Sequence, residues 1–296
     1  MTLGGLPFSF EFSGPALERA FLPALSHWAR GGEEEDPIRI LMWEGSGAPP
    51  PPADWFVPAP RGEITGWSEE ESASQNLAAR SACLWNSRER VAIYWCASAG
   101  ELPVYEQAAP LRNLWHWIFS AYGGQLCHGA VVGLRGKGIF LAGKGGSGKS
   151  TTALTCLARG WDYVGDDYVL LMPGSPTVAH ALFGTAKMST PMEGDWARQM
   201  DDPISGKRVY WLKSGLTPSL ALSRIVLPQV AQATRSLPCS RMEALRALAP
   251  SSLFQLAGAS APSWRRIQSL TGNLPASRLE LGPDPDEIVE SLSCLV

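Results

Sequence analysis

Long apolar runs, paired cysteines and an excess of basic charge are all missing from this sequence, and each absence removes a class of function. No stretch of about 18 apolar residues occurs, so no helix is expected to cross a membrane. The N-terminus, Met1 to Pro15, has no basic region followed by an apolar run and does not read as a secretory leader. Six cysteines (Cys83, Cys96, Cys127, Cys156, Cys239, Cys294) lie far apart without a C-x-x-C pair. That spacing suits neither a zinc site nor a disulfide framework; it suggests small buried residues in a reducing compartment, and a cytoplasmic location is expected. A net charge of −3, with 25 scattered Lys and Arg, offers no basic field for nucleic acid. Neither nucleic acid nor a membrane is therefore an expected partner. No internal repeat is present. Lysine is rare, which gives weight to any lysine beside an anionic site.

What is present is a chain of 296 residues, enough for one large domain or two modest ones, with an ordinary hydrophobic share of 45% and a high count of 12 Trp. The tryptophans read as core and interface residues. Pro15 to Arg30 has helical apolar spacing, with Leu17, Ala20, Phe21, Ala24 and Leu25 on one face. Ile38 to Trp43 reads as a buried strand between two surface loops, Gly31–Asp36 and the proline-rich Ala48–Ala53. Cys83–Trp85 and Val91–Trp95, flanking Asn86–Arg90, predict a β-hairpin. A helix is expected from Pro110 to about Tyr122, with Leu111, Leu114, Trp115 and Ile118 on one face and Gly123-Gly124 ending it. The texture then changes to short apolar strands and Gly-rich turns. We expect a mixed α/β N-terminal domain over 1–122, suited to holding a partner, and a second domain over 123–296. Late elements follow: Ser240-x-x-Glu243 as a capping box for Arg241–Leu248, a strand over Arg278–Leu281 and a helix over Asp286–Leu292.

Gly143-Lys144-Gly145-Gly146-Ser147-Gly148-Lys149-Ser150 matches the P-loop pattern G-x-x-x-x-G-K-[ST] in full. A buried strand, Gly138–Ala142, enters it, and a helix over Thr151–Arg159 leaves it before Gly160. Glycines let several backbone N–H groups point into one concavity, and the helix N-terminus adds unpaired donors and a positive dipole end. The expected ligand is the triphosphate of ATP with Mg²⁺. Lys149 would reach the phosphates, the Ser150 hydroxyl would bind Mg²⁺, and Thr151 would complete the cradle.

Asp166-Asp167 follows closely, at the end of a buried strand or in a break within one. Two carboxylates there are costly unless a cation or hydrogen bonds compensate them, and nucleotide-bound Mg²⁺ is such a cation. In an extended backbone, neighbouring side chains point to opposite faces, so one Asp could hold the metal while the other faces a substrate hydroxyl.

The short spacing from P-loop to doubled Asp resembles the HPr kinase/phosphorylase family and, more distantly, the phosphoenolpyruvate carboxykinases. The resemblance covers about residues 110–215 and rests on His128-Gly129-Ala130-Val131-Val132-Gly133, Gly138-Ile139-Phe140-Leu141, the P-loop, Arg159-Gly160-Trp161 and Gly165-Asp166-Asp167. It is similar to the group that includes the tailoring kinases of lasso-peptide gene clusters. The fold implied is α/β, a P-loop kinase core of the HPr kinase/phosphoenolpyruvate carboxykinase type with an N-terminal mixed α/β domain.

The resemblance also implies roles. Asp166 would be the general base, Asp167 would bind Mg²⁺ with Ser150, and His128 would tune the base; the converse order of the two Asp is the alternative, and a satisfied buried histidine is the other reading of His128. Lys187, Lys207 and Arg208 are candidate cations for transition-state charge, or else solvated surface charges. The Arg-Gly-rich segment of the bifunctional enzymes is not found in 172–215, which puts phosphorylase activity and HPr itself as substrate in doubt. Known members tend to be hexameric, so a homo-oligomer is implied. The expected activity is a kinase acting on a Ser/Thr hydroxyl of a small protein or peptide. A small-molecule kinase, acting for example on free serine, and a non-transferring ATP-binding regulator are the alternatives.

Overall fold

The computed structural model describes residues 1–28, 36–46, 57–59, 63–68, 70–189, 191, 196–258 and 261–296. The expected loops at 31–35 and 48–53 lie outside these residues. The chain divides into two compact units, Met1–Tyr122 with a short stretch from Gln255, and Gly123–Phe254 with the C-terminal segment to Val296.

The first unit is built on an eight-stranded sheet: β1 (Thr2–Leu3), β2 (Leu6–Phe12), β3 (Ile38–Glu44), β4 (Val57–Ala59), β5 (Glu63–Trp67), β6 (Glu71–Asn76), β7 (Ser81–Asn86) and β8 (Val91–Cys96), in the order β1-β2-β3-β8-β7-β6-β5-β4. β3 pairs in parallel with β2 and β8; the rest of the sheet is antiparallel, including the β7–β8 hairpin. Its helices are α1 (Pro15–Leu25), α2 (Val104–Ala108) and α3 (Arg112–Ala121). Pro15 opens α1, where its missing N–H is not needed, and Leu17, Ala20, Phe21, Ala24 and Leu25 form the buried stripe. The helix stops short of the expected Arg30 because Trp28 turns back into an aromatic cluster with Phe8, Phe10 and Trp115. α3 begins at Arg112 rather than Pro110, since Leu111 takes left-handed dihedrals (φ 61°).

The second unit contains β9 (Gln125–His128), β10 (Ala130–Leu134), β11 (Lys137–Leu141), α4 (Lys149–Ala158), β12 (Asp162–Gly165), β13 (Tyr168–Met172), β14 (Val178–His180), β15 (Thr185–Met188), β16 (Trp196–Asp202), β17 (Lys207–Leu212), β18 (Ser219–Val230), β19 (Arg235–Pro238), α5 (Arg241–Leu253), α6 (Ala261–Asn273), β20 (Ala276–Leu281) and α7 (Pro285–Ser293). Its main mixed sheet runs β12-β10-β11-β18-β14-β13-β9, and β18 also pairs with β20, which carries β19. Alternate residues of β10 and β11 enter different cores. Val131 and Phe140 pack with Leu248 and Ile267 of α5 and α6, whereas Val132, Ile139 and Leu141 pack with Leu154 of α4 and Leu292 of α7. Burial on both faces explains why β11 reads as an apolar run from Gly138 onward. A separate antiparallel sheet, β15-β17-β16, carries Lys187 and Lys207. The Ser240/Glu243 capping box is present, and α5 runs on to Leu253.

The cysteines are all free; Cys96, Cys127 and Cys156 are buried, but Cys294 is exposed, contrary to the expectation for the set. Burial pushes the Cys127 and Cys156 thiols up to about 12, so neither is a ready nucleophile. Among the described residues no helix is long and apolar enough to cross a membrane.

Candidate active site

β11 ends at Leu141, and the glycine loop curls from Ala142 to Gly148 before α4 begins at Lys149. Gly143, Gly146 and Gly148 all have positive φ. At Gly148 (φ 102°) a side chain is doubly excluded, because a methyl there would collide with Leu281 Cδ1. Gly148 also caps α4 without any side-chain hydrogen bond, which leaves the first-turn N–H groups available to an anion. Lys149 is folded back, its Nζ donating to the carbonyls of Gly143 (2.7 Å) and Lys144 (3.0 Å). Burial, with the nearby Lys207 charge adding, holds its pKa below the ordinary value despite the two aspartates.

The acidic pair occupies a break between two strands. β12 ends at Gly165, and Asp167 takes left-handed dihedrals (φ 68°) before β13 starts at Tyr168. Asp is among the few non-glycine residues that enter this region readily. The alternation expected of an extended chain therefore does not apply: Asp166 is 3% exposed and lies beneath the site, whereas Asp167 lines the cleft with its side chain 25% exposed.

The surroundings of the two differ in kind. Asp167 Oδ2 accepts from Lys187 Nζ at 2.6 Å, and His128 Nε2 stands 3.5 Å from Oδ1. Burial raises the Asp167 pKa, but Lys187 and His128 outweigh it and hold the carboxyl well below its usual range. Pairing of β9 with β13 sets His128 opposite Tyr168, and Gly129 N–H donates to the Asp167 carbonyl. Asp166 has no such partner: both carboxylate oxygens are buried without a hydrogen bond. Burial, with the Asp167 charge adding, lifts its pKa from 3.8 to about 6, an effect only partly opposed by the neighbouring Ser150 hydroxyl and by Lys187. Ser150 thus neighbours Asp166, whereas the expectation paired it with Asp167; the left-handed turn at Asp167 is the cause.

One cleft of about 290 Å³ joins these parts, lined by His128, Gly145, Gly146, Gly148, Lys149, Ser150, Thr151, Asp167, Lys187 and Lys207. Lys144 is exposed on the loop, and the Ser147 hydroxyl is buried inside it without a partner. Arg208 is not in the cleft. It turns to the other side of β17 and pairs with Asp201 at 2.7 Å. Sequence reasoning missed Tyr163, whose buried side chain adjoins Asp166, and Ser252, whose hydroxyl accepts from His128 N–H. A lone hydroxyl-bearing ring in the apolar β12 was the available signal for Tyr163; Ser252 lies far off in sequence and gave none.

An orphaned carboxylate beside a serine hydroxyl, at the foot of a helix N-terminus, fits a divalent cation. Among the described residues no three His, Cys, Asp or Glu side chains form a metal cluster, so a cation here would need oxygens from a bound nucleotide.

No family model matches the chain. Over 82 residues it is 37% identical to the HPr kinase/phosphorylase of Chlorobium chlorochromatii (strain CaD3). Over that stretch the chain is similar to an HPr kinase/phosphorylase. That match takes in 25% of this chain and spans only 24% of the Chlorobium protein. The solved HPr(Ser) kinase/phosphatase from Coxiella burnetii overlays on 58% of this chain and 95% of its own, at 11% identity and a TM-score of 0.33.

Proposed function

We propose that the second unit is a P-loop kinase core that transfers the γ-phosphate of ATP to a Ser or Thr hydroxyl of a small protein or peptide, a lasso-peptide precursor being the candidate suggested by the sequence group it resembles. One observation carries this reading: two adjacent aspartates on the glycine-loop cleft are in opposite electrostatic states, one orphaned beside Ser150, the other compensated by Lys187 and His128.

The roles follow from access first and pKa second. Asp166, buried beside Ser150, is the metal ligand, and Mg²⁺ held there would neutralise phosphate charge. Asp167 faces the cleft and is ionised at neutral pH, so it is placed to accept the hydroxyl proton; His128 orients it. This exchanges the roles expected from sequence. Lys149 would leave its carbonyl partners for the phosphates, and Lys187 and Lys207, which line the cleft, would offset the equatorial oxygen charge.

The test is incubation with γ-labelled ATP, Mg²⁺ and Ser/Thr-containing peptides encoded beside the gene, with free serine and no-acceptor arms. Label on a peptide hydroxyl, located by mass, supports the reading. Label on free serine alone would make it a small-molecule kinase, and ATP turnover with no phosphorylated product would make it a switch.

A further inference from the structure

We propose that the outer edge of β2, beside α1, is a docking groove for an extended polypeptide segment, which joins the first unit's sheet as one more strand. The identity of that occupant, the peptide or small protein bearing the acceptor hydroxyl, rests on the kinase reading; the groove itself does not.

The edge is defined by its hydrogen bonds. Phe8 exchanges both main-chain bonds with Met1: Phe8 N–H donates to the Met1 carbonyl at 2.7 Å, and the Met1 amine donates to the Phe8 carbonyl at 2.8 Å. Phe8 therefore faces outward, away from β3. Backbone direction alternates along a strand, so Ser9 and Glu11 face β3 while Phe10 and Phe12 face out. Ser13 agrees with this phase, since its N–H donates to Met42 of β3 at 2.9 Å. β1 covers the edge only at Leu6 and Pro7. Among the described residues, the outward N–H and C=O of Phe10 and Phe12 have no main-chain partner. Unpaired edge groups of this kind are a template for another extended chain.

The surface beside the edge matches such a chain. An open groove of about 1020 Å³ runs along it, bordered by Phe10, Phe12, Pro15, Leu22 and Pro23. The Phe10 and Phe12 rings are stacked, 6.4 Å apart with planes 13° apart, and both are only half-buried. Every second side chain of an added strand would meet this apolar wall, while Glu18 and Arg19 on α1 border the groove with charges of both signs. A second copy of this chain fits less well. The free edge from Ser9 to Phe12 is about 13 Å long, too short for the roughly 800 Å² per partner that a stable dimer buries.

The probe is a fluorescein-labelled heptapeptide of alternating valine and threonine, compared with the same peptide N-methylated at alternate amides, by anisotropy without nucleotide. Saturable binding is expected, weakened about tenfold or more by N-methylation. Phe12→Pro, which removes one outward N–H at a position where an edge strand tolerates proline, should weaken binding to a similar degree. Leu22→Glu, on the groove side of α1, is the second variant and leaves the strand intact. Both should keep the wild-type circular dichroism and nucleotide affinity, and raise KM for a phosphorylated peptide without lowering kcat. Absent binding, equal binding of the methylated peptide, unchanged affinity in both variants, or a wild-type dimer abolished by Phe12→Pro would overturn the proposal. A peptide phosphorylated with unchanged KM in both variants would sink the groove and leave the kinase standing. Probe binding with no phosphate transfer to any acceptor would do the reverse.

Discussion

Replacing Asp166 by Asn should make the protein more stable at neutral pH in the absence of divalent ions, the opposite of what loss of a buried hydrogen-bonded carboxylate does. Asp166 is 3% exposed, and burial raises its pKa from 3.8 to about 6. For an acid with a raised folded pKa, the favourable contribution is full below the unfolded value and is lost as pH rises through the folded one. A rise of about 2 units is worth about 3 kcal/mol, so the wild type loses roughly that much between pH 4 and pH 7.5. The neutral amide does not titrate, so the stability of Asp166→Asn relative to wild type should climb by about 3 kcal/mol over the same range. At about 2–4 °C per kcal/mol for a domain of this size, the Tm difference should grow by roughly 6–12 °C. Urea and thermal melts at pH 4 and pH 7.5, in chelator, measure it. A difference independent of pH would refute the claim that Asp166 is a buried carboxylate whose charge is only partly compensated until a cation binds.

Asp167→Asn should act in the other direction, costing about 1–3 kcal/mol at pH 7 because Lys187 loses its 2.6 Å partner; equal urea midpoints would contradict this. Since the Asp167 pKa is depressed, its contribution is present above the ordinary carboxylate range and fades only in strong acid. The same variant should retain nucleotide affinity and lose most phosphate transfer, as single-turnover assays would show. Lys149→Ala should abolish nucleotide binding in titration calorimetry. Gly148→Ala should both destabilise the chain, by about 1–3 kcal/mol of backbone strain with the Leu281 collision added, and block nucleotide binding. Affinity for Mg²⁺ with nucleotide should fall as pH drops below about 6, where Asp166 takes up a proton.

Much of the framework was legible from local pattern. The α1 stripe, the β7–β8 hairpin, the apolar β11, the Ser240 capping box and the strand–loop–helix order around Lys149 each follow from periodicity or turn chemistry acting over a few residues. Elements fixed by distant pairing were not legible. β6, Glu71–Asn76, has Ala73 as its one apolar residue and shows no apolar alternation, yet it sits between β5 and β7. β18 carries Pro228 and still pairs with β11, β14 and β20. In the site, residue types were readable and geometry was not. The left-handed turn at Asp167 exchanges the surroundings of the two carboxylates, and strand alternation along β17 brings Lys207 to the cleft while turning Arg208 to Asp201.

The most direct measurement is calorimetric titration of a non-hydrolysable ATP analogue, with Mg²⁺ and again with chelator, into wild type, Asp166→Asn and Asp167→Asn. Wild type and Asp167→Asn should bind far more tightly with Mg²⁺ than without, and Asp166→Asn should lose that difference. Equal affinity with and without Mg²⁺ in the wild type, or a Mg²⁺ dependence lost from Asp167→Asn and kept by Asp166→Asn, would contradict the assignment on which the mechanism stands.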